Sequence, residues 1–191
     1  MADKSAHKAK TRARILDEAA AAIRSSGAQG ISVAELMKRA GLTHGGFYAH
    51  FSSRDDLVAH AIDRMFQDSA MMVARFLGDT PDLGAFIDYY LSETAYRMVE
   101  RGCPLPGLSG EAGRMPPAAR TRFAQGVGGF RDGIERALEA LGKADSATLA
   151  SSVMAELVGA MTLARSMPDD GAALAFLDAS RRGLRERIGL A

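Results

Sequence analysis

Phe123, Val127, Phe130, Ile134, Leu138 and Leu141 recur at steps of three or four residues, the spacing that places side chains along one side of an α-helix. The same period returns in Ile15, Leu16, Ala19, Ala22 and Ile23, in Leu57, Ala61, Met65, Met72 and Phe76, and in Leu83, Ile87, Leu91, Ala95 and Met98. It returns again in Leu149, Val153, Leu157, Ala160 and Ala164, and in Leu174, Leu177, Leu184 and Ile188. Nowhere do β-branched residues alternate with polar ones over the length of a strand. The expected fold is all-α, with about nine helices.

Glycines, prolines and capping residues mark the ends of these stripes. Lys4, Lys8, Lys10, Arg12 and Arg14 precede or open the first helix, which Gly27 and Gly30 end. Ser32 reads as an N-cap, with Glu35 completing a capping box for a short second helix that stops at Ala40. Gly41 supplies left-handed backbone for a tight turn, and Thr43 is placed to cap a third helix. Ser53 opens a fourth, with Asp55 and Asp56 where the helix dipole favours negative charge, and its stripe runs to Gly78, a rod of ~24 residues and ~36 Å. The stripe from Leu83 is expected to end at Arg101-Gly102, because Cys103 to Gly107 is too proline-rich to continue it. A brief helical piece follows around Leu108 to Arg114. The strongest stripe starts at Met115-Pro116-Pro117 and stops at Gly142. Gly126, Gly128 and Gly129 inside it hint at a bend or close packing. Residues 147–166 and 169–188 make a final pair.

Between Ser32 and Leu57 the residue types point to a partner rather than merely to a core. Two short helices hinged at a glycine form a helix-turn-helix, whose second helix enters the major groove of DNA. Phe47 and Phe51 can anchor that helix against Leu36, Leu42 and Leu57, which leaves Thr43, His44, Gly45, Gly46 and Tyr48 for the DNA side. Two adjacent glycines should cost a helix about 1 kcal/mol each relative to alanine, and close approach of backbone to DNA gives a reason for them. Residues 1–60 carry nine Lys/Arg against six Asp/Glu and all four histidines, whereas residues 61–191 carry fifteen against seventeen. A basic excess at this end suits a polyanion. Taken singly, Tyr48, His50 and Arg54 also fit a half-buried tyrosine, a capping histidine and a surface partner of Asp55 or Asp56.

The motifs T-R-A-R-I-L in the first helix, A-E-L-x-x-x-A-G-L-T at the hinge and F-Y-A-H-F-S-S-R-D-D-L into the fourth helix resemble the DNA-binding domain of the TetR family of bacterial transcriptional regulators. The resemblance covers residues from about 10 to 60, under a third of the chain. It implies a DNA-binding domain over residues 1–53, a connecting helix over 54–78, and an effector-binding and dimerisation domain over 79–191. It further implies that Thr43 starts the recognition helix, that His44 and Gly45 face bases, that Tyr48 and His50 bind phosphates, and that Arg54 meets the DNA backbone. Arg12, Ser32 and Gly46 complete the DNA-binding candidates. Ala49 departs from the family pattern, in which many members carry a second tyrosine, and Gly46 offers no side chain for reading bases.

The remainder supplies weaker signals. Phe86, Tyr89, Tyr90, Met98, Cys103, Phe123, Phe130, Met154 and Met161 are candidates to line an apolar effector cavity, although such residues at helical spacing also make plain core. Leu157, Ala160, Ala164, Leu177, Leu184 and Ile188 could pack against a two-fold copy as a four-helix bundle, and a dimer matches a palindromic operator. The lone cysteine excludes an intrachain disulfide and a multi-cysteine zinc site, and no cofactor is expected. No apolar stretch is read as a membrane span or signal core, so the expected location is the cytoplasm. The favoured reading is a repressor released from double-stranded DNA by a small, largely apolar ligand. An alternative uses Cys103 as a redox or electrophile sensor on the same scaffold. A small helical enzyme is more remote, since neither a phosphate-binding glycine loop nor a hydrolase motif is present.

Overall fold

The basic start and the alanine-rich run behind it form one helix, α1 (Ala2–Ser26), in a computed structural model that describes residues 2–30 and 32–190. Its buried side is Ile15, Leu16, Ala19, Ala20 and Ile23. Gly27 ends it at φ +78°. Helix α2 (Val33–Arg39) begins where the Ser32 hydroxyl accepts the Glu35 N–H at 3.2 Å. Gly41, at φ +66°, then turns the chain, with its N–H donated to the Lys38 carbonyl and that of Leu42 to Met37.

The third helix of the expectation is a 3-10 helix, His44–Ala49, rather than an α-helix, and Thr43 occupies its cap position without a side-chain capping bond. Two glycines in six residues weaken the α-conformation, so the segment tightens into the short-range 3-10 form while Phe47 keeps its anchor. Helix α3 (Arg54–Leu77) follows. The Ser53 hydroxyl accepts the Asp56 N–H at 3.0 Å, and Asp56 in return accepts the Ser52 N–H at 2.9 Å. This exchange satisfies donors that a helix start leaves free. At 24 residues, α3 is about 36 Å long. It packs on α1 near its start and on α4 and α7 further along, and one continuous apolar cluster runs from Ile15 to Ile188 through it.

The stripe from Leu83 is broken in two, α4 (Leu83–Tyr90) and α5 (Glu93–Arg97). Ser92 interrupts it because its hydroxyl both donates to the Tyr89 carbonyl at 2.7 Å and accepts the Ala95 N–H at 3.1 Å, so it caps a new helix. The proline-rich segment makes a single helical turn, α6 (Leu105–Leu108), because proline is tolerated in a first turn. A 3-10 turn (Ala112–Arg114) leads into α7 (Pro117–Ala140).

Helix α7 is continuous through its glycines. A Cβ at Gly126 would come within 2.4 Å of the Phe66 ring, and one at Gly133 within 3.1 Å of Val73. These positions lie two helical turns apart and let α7 press onto α3, so close packing rather than a bend explains Gly126. Gly142, at φ +68°, ends α7.

Helices α8 (Ser146–Arg165) and α9 (Asp170–Arg187) close the body. Contrary to expectation, α8 is long and apolar enough to span a membrane, with mean hydropathy 1.4. It packs between α7 and α9. The six residues expected at a two-fold interface, Leu157, Ala160, Ala164, Leu177, Leu184 and Ile188, are all at most 5% exposed within the single chain. They are core, because α8 and α9 turn their large apolar sides toward α7 and each other.

Candidate nucleic-acid interface and effector cavity

The 3-10 turn divides its residues cleanly. Phe47 and Phe51 stack with ring centroids 5.7 Å apart and are buried with Leu36 and Leu57. Tyr48 meets the Phe47 ring edge-on at 5.2 Å yet is 69% exposed, beside exposed Thr43, His44 and Gly45. Neither Gly45 nor Gly46 has positive φ. A Cβ at Gly45 would meet nothing within 4 Å, and one at Gly46 would make only ordinary contact with Met37 at 3.7 Å. Neither position is sterically restricted to glycine.

Basic groups from α1 gather beside this turn. The Arg12 guanidinium lies 4.8 Å from the Phe51 ring centroid, a cation-π contact that holds it next to the hinge. Burial, then the charges of Lys8 and Arg12, hold His50 below the usual imidazole range. The His50 Nδ1 is buried without a hydrogen-bond partner. Ser32 is exposed, with its hydroxyl at the α2 cap. Arg54 is engaged inside the chain, donating to the Ala28 carbonyl at 2.5 Å, where it ties the α1–α2 loop to the start of α3. Lys8 is an addition to the sequence-derived candidates, and the basic spacing Lys4, Lys8, Arg12 down one side of α1 was its signal.

A cavity of about 50 Å³ lies where α3, α4, the α5–α6 connection and α8 meet. Of the nine residues proposed for an effector pocket, Tyr89, Tyr90, Met98, Cys103 and Met161 line it. Phe86, Phe123, Phe130 and Met154 do not. Phe86 is locked between Tyr90 and Phe130, with centroids 5.9 and 5.7 Å away. Phe123 meets Phe66 edge-on at 5.6 Å. Phe130 borders a separate hollow of about 390 Å³ between α3 and α7. Met154 packs half-buried on the core. The rings of Phe123 and Phe130, on α7, thus pack on Phe66, Phe86 and Tyr90.

The cavity is less apolar than the sequence suggests, because Asp68, Ser69, Arg101 and Arg165 share its wall. Tyr90 is 3% exposed and its hydroxyl has no hydrogen-bond partner. Burial pushes its pKa well above the ordinary value. Burial also pushes the neighbouring Cys103 thiol up, against the opposing pull of Tyr90, the Leu105 amide and the charges of Arg165 and Arg24. A thiol held protonated is a poor nucleophile, which weighs against a thiol switch. Arg165 is the sole basic residue in apolar α8, a signal the sequence reading passed over.

Residues 15–61 match the bacterial regulatory proteins of the tetR family, and residues 80–179 match the tetracyclin repressor-like C-terminal domain. An uncharacterized HTH-type transcriptional regulator of Mycobacterium tuberculosis, found in two strains, is 30% identical over 103 residues, 53% of each chain. The chain thus spans about half the length of the curated relatives it matches. A TetR transcriptional regulator from Chloroflexus aurantiacus has TM-score 0.81 at 27% identity over 96% of both chains. Fold alone is shared with a TetR-family regulator from Agrobacterium tumefaciens, at TM-score 0.81 and 23% identity over 94% of this chain and 98% of that one. The same holds for the reduced form of E. coli NemR, at 0.78 and 19% over 93% and 96%. A small helix-turn-helix head, carried on a long helix that also walls an all-helical body, defines a helix-turn-helix regulator. The chain belongs to the TetR family of bacterial transcriptional regulators.

Proposed function

We propose that the protein is a repressor that binds double-stranded operator DNA through the Thr43–Tyr48 face and is released by a small ligand entering the α3–α4–α8 cavity. The observation that carries this reading is the pair Gly45 and Gly46, at positions not sterically restricted to glycine, beside an exposed Tyr48 and the Arg12 cation. Backbone approach to DNA accounts for such smoothness, with Tyr48, His50, Arg12 and Ser32 for phosphates and Thr43 and His44 for bases. With few side chains reaching the groove, sequence choice leans on DNA shape.

A dimer fits a palindromic site. The faces available to a second copy are the outer ones, where Ser151, Ser152 and Ala155 of α8 and Ala172, Ala175, Ala179 and Gly183 of α9 are exposed. Small residues there permit close helix approach. Mobility shift with the full chain against fragments of its own upstream DNA tests the reading: salt-sensitive binding is expected, and the same affinity in a folded Tyr48→Ala/His50→Ala variant would overturn the assignment.

A further inference from the structure

We infer that the α3–α4–α8 cavity is a site for a compact organic carboxylate, whose oxygens accept hydrogen bonds from the Tyr90 hydroxyl and the Arg165 guanidinium while its short apolar part lies against Met72, Met98 and Met161. The inference rests on the effector reading above and names the class of ligand.

The donors and acceptors in the wall do not balance. The Tyr90 side chain lines the cavity, and its hydroxyl is buried and lacks a partner. Beside it is the Cys103 thiol, a weak hydrogen-bonding group that cannot take the place of an oxygen acceptor. A buried unpaired hydroxyl is unfavourable, and a ligand acceptor would satisfy it. Arg165 donates Nε to the Tyr96 carbonyl at 3.2 Å and Nη2 to the Ala95 carbonyl at 2.8 Å, which leaves Nη1 uncommitted. It is half-buried, and among the described residues it forms no ion pair with a carboxylate. Asp68 is the one acid in the wall, and its two oxygens are already occupied by Arg64 at 3.0 Å and Arg24 at 3.2 Å. The Ser69 hydroxyl is spent on the Met65 carbonyl at 3.0 Å. Exposed Arg101 adds a second cation at the rim.

What the wall lacks is therefore an acceptor with negative charge. A carboxylate presents two oxygens in the plane that a guanidinium edge and one hydroxyl can share. A cavity of about 50 Å³ holds only a few water-sized groups. The three methionines can repack around an acid of a few carbons.

Calorimetry on the purified full chain tests the inference with acetate, propionate and butyrate, each beside its uncharged amide of the same shape. At least one carboxylate is expected to bind about tenfold more tightly than its amide. Tyr90→Phe, which keeps the ring and removes the unpaired hydroxyl, is expected to weaken that carboxylate about tenfold with unchanged or higher melting. Arg165→Lys, checked for folding by circular dichroism, should weaken it further because one ammonium cannot replace the fork. Equal binding of acid and amide, unchanged affinity in Tyr90→Phe, or no binding of any of the three acids at millimolar concentration would each overturn it. Operator release is measured separately. Carboxylate binding that leaves the protein on DNA overturns the effector reading and keeps the site, whereas release by an amide alone does the reverse.

Discussion

The guanidinium of Arg24, in the last turn of α1, donates to the backbone carbonyl of Glu100 at 3.1 Å across 76 residues of sequence. The same side chain donates to the Met65 carbonyl and to Asp68, both at 3.2 Å. Eleven residues beyond Glu100, the Glu111 carboxylate accepts the Ala28 N–H at 2.8 Å. The segment that borders the cavity thus grips the end of α1 and the loop after it, and Arg54 grips that loop from the α3 side. Arg24→Met should remove three bonds at a site only 6% exposed. A loss of about 2 kcal/mol is expected in urea denaturation, moderated because Asp68 keeps Arg64. Operator affinity of that variant should also respond less to ligand.

Gly45→Ala separates folding from recognition. Its backbone suits an L-residue and the added methyl meets open space, so stability should hold or rise by about 0.5 kcal/mol. Operator affinity should fall about tenfold if the backbone approaches DNA there. A thermal melt paired with a mobility shift reads both effects.

Substitutions at α8 and α9 distinguish core from interface. Leu157→Ala, at a fully buried position, should destabilise the chain by about 3 kcal/mol. Ala175→Arg, on the exposed face, should leave the monomer folded and abolish self-association in sedimentation.

Stability should decline on both sides of neutral pH. His50 and His60 titrate below their ordinary value, chiefly through burial. Their contribution is present above the unfolded imidazole value near ~6.5 and is lost as pH falls through the folded one. Tyr90 and Cys103 are raised, again chiefly by burial. Their contribution is present below the unfolded values and is lost as pH rises through the folded ones. Urea midpoints across the pH range check this, and Cys103→Ser should flatten part of the alkaline decline. Alkylation of Cys103 at neutral pH should be slower than that of the unfolded chain.

The helix-turn-helix was readable because its signals are local. Ser32, Gly41 and Ser53 cap or turn the chain through neighbours within a few residues, and Phe47 and Phe51 share a face by spacing alone. The long α3 and α7 were readable for the same reason. The break at Ser92 was not, since an apolar stripe continues across it while one hydroxyl redirects two backbone bonds.

The sequence by itself determined the all-helical class, the Ser32 and Ser53 caps and the glycine pair, because periodicity and capping act over one or two turns. Only the tertiary structure decided which side of α8 and α9 faces inward, that Arg54 is occupied by the Ala28 carbonyl, and that Tyr90, Cys103 and Arg165 meet in one cavity. Those outcomes depend on contacts between residues dozens of positions apart, and a stripe of leucines reads the same whether its partner is another helix of the chain or a second copy.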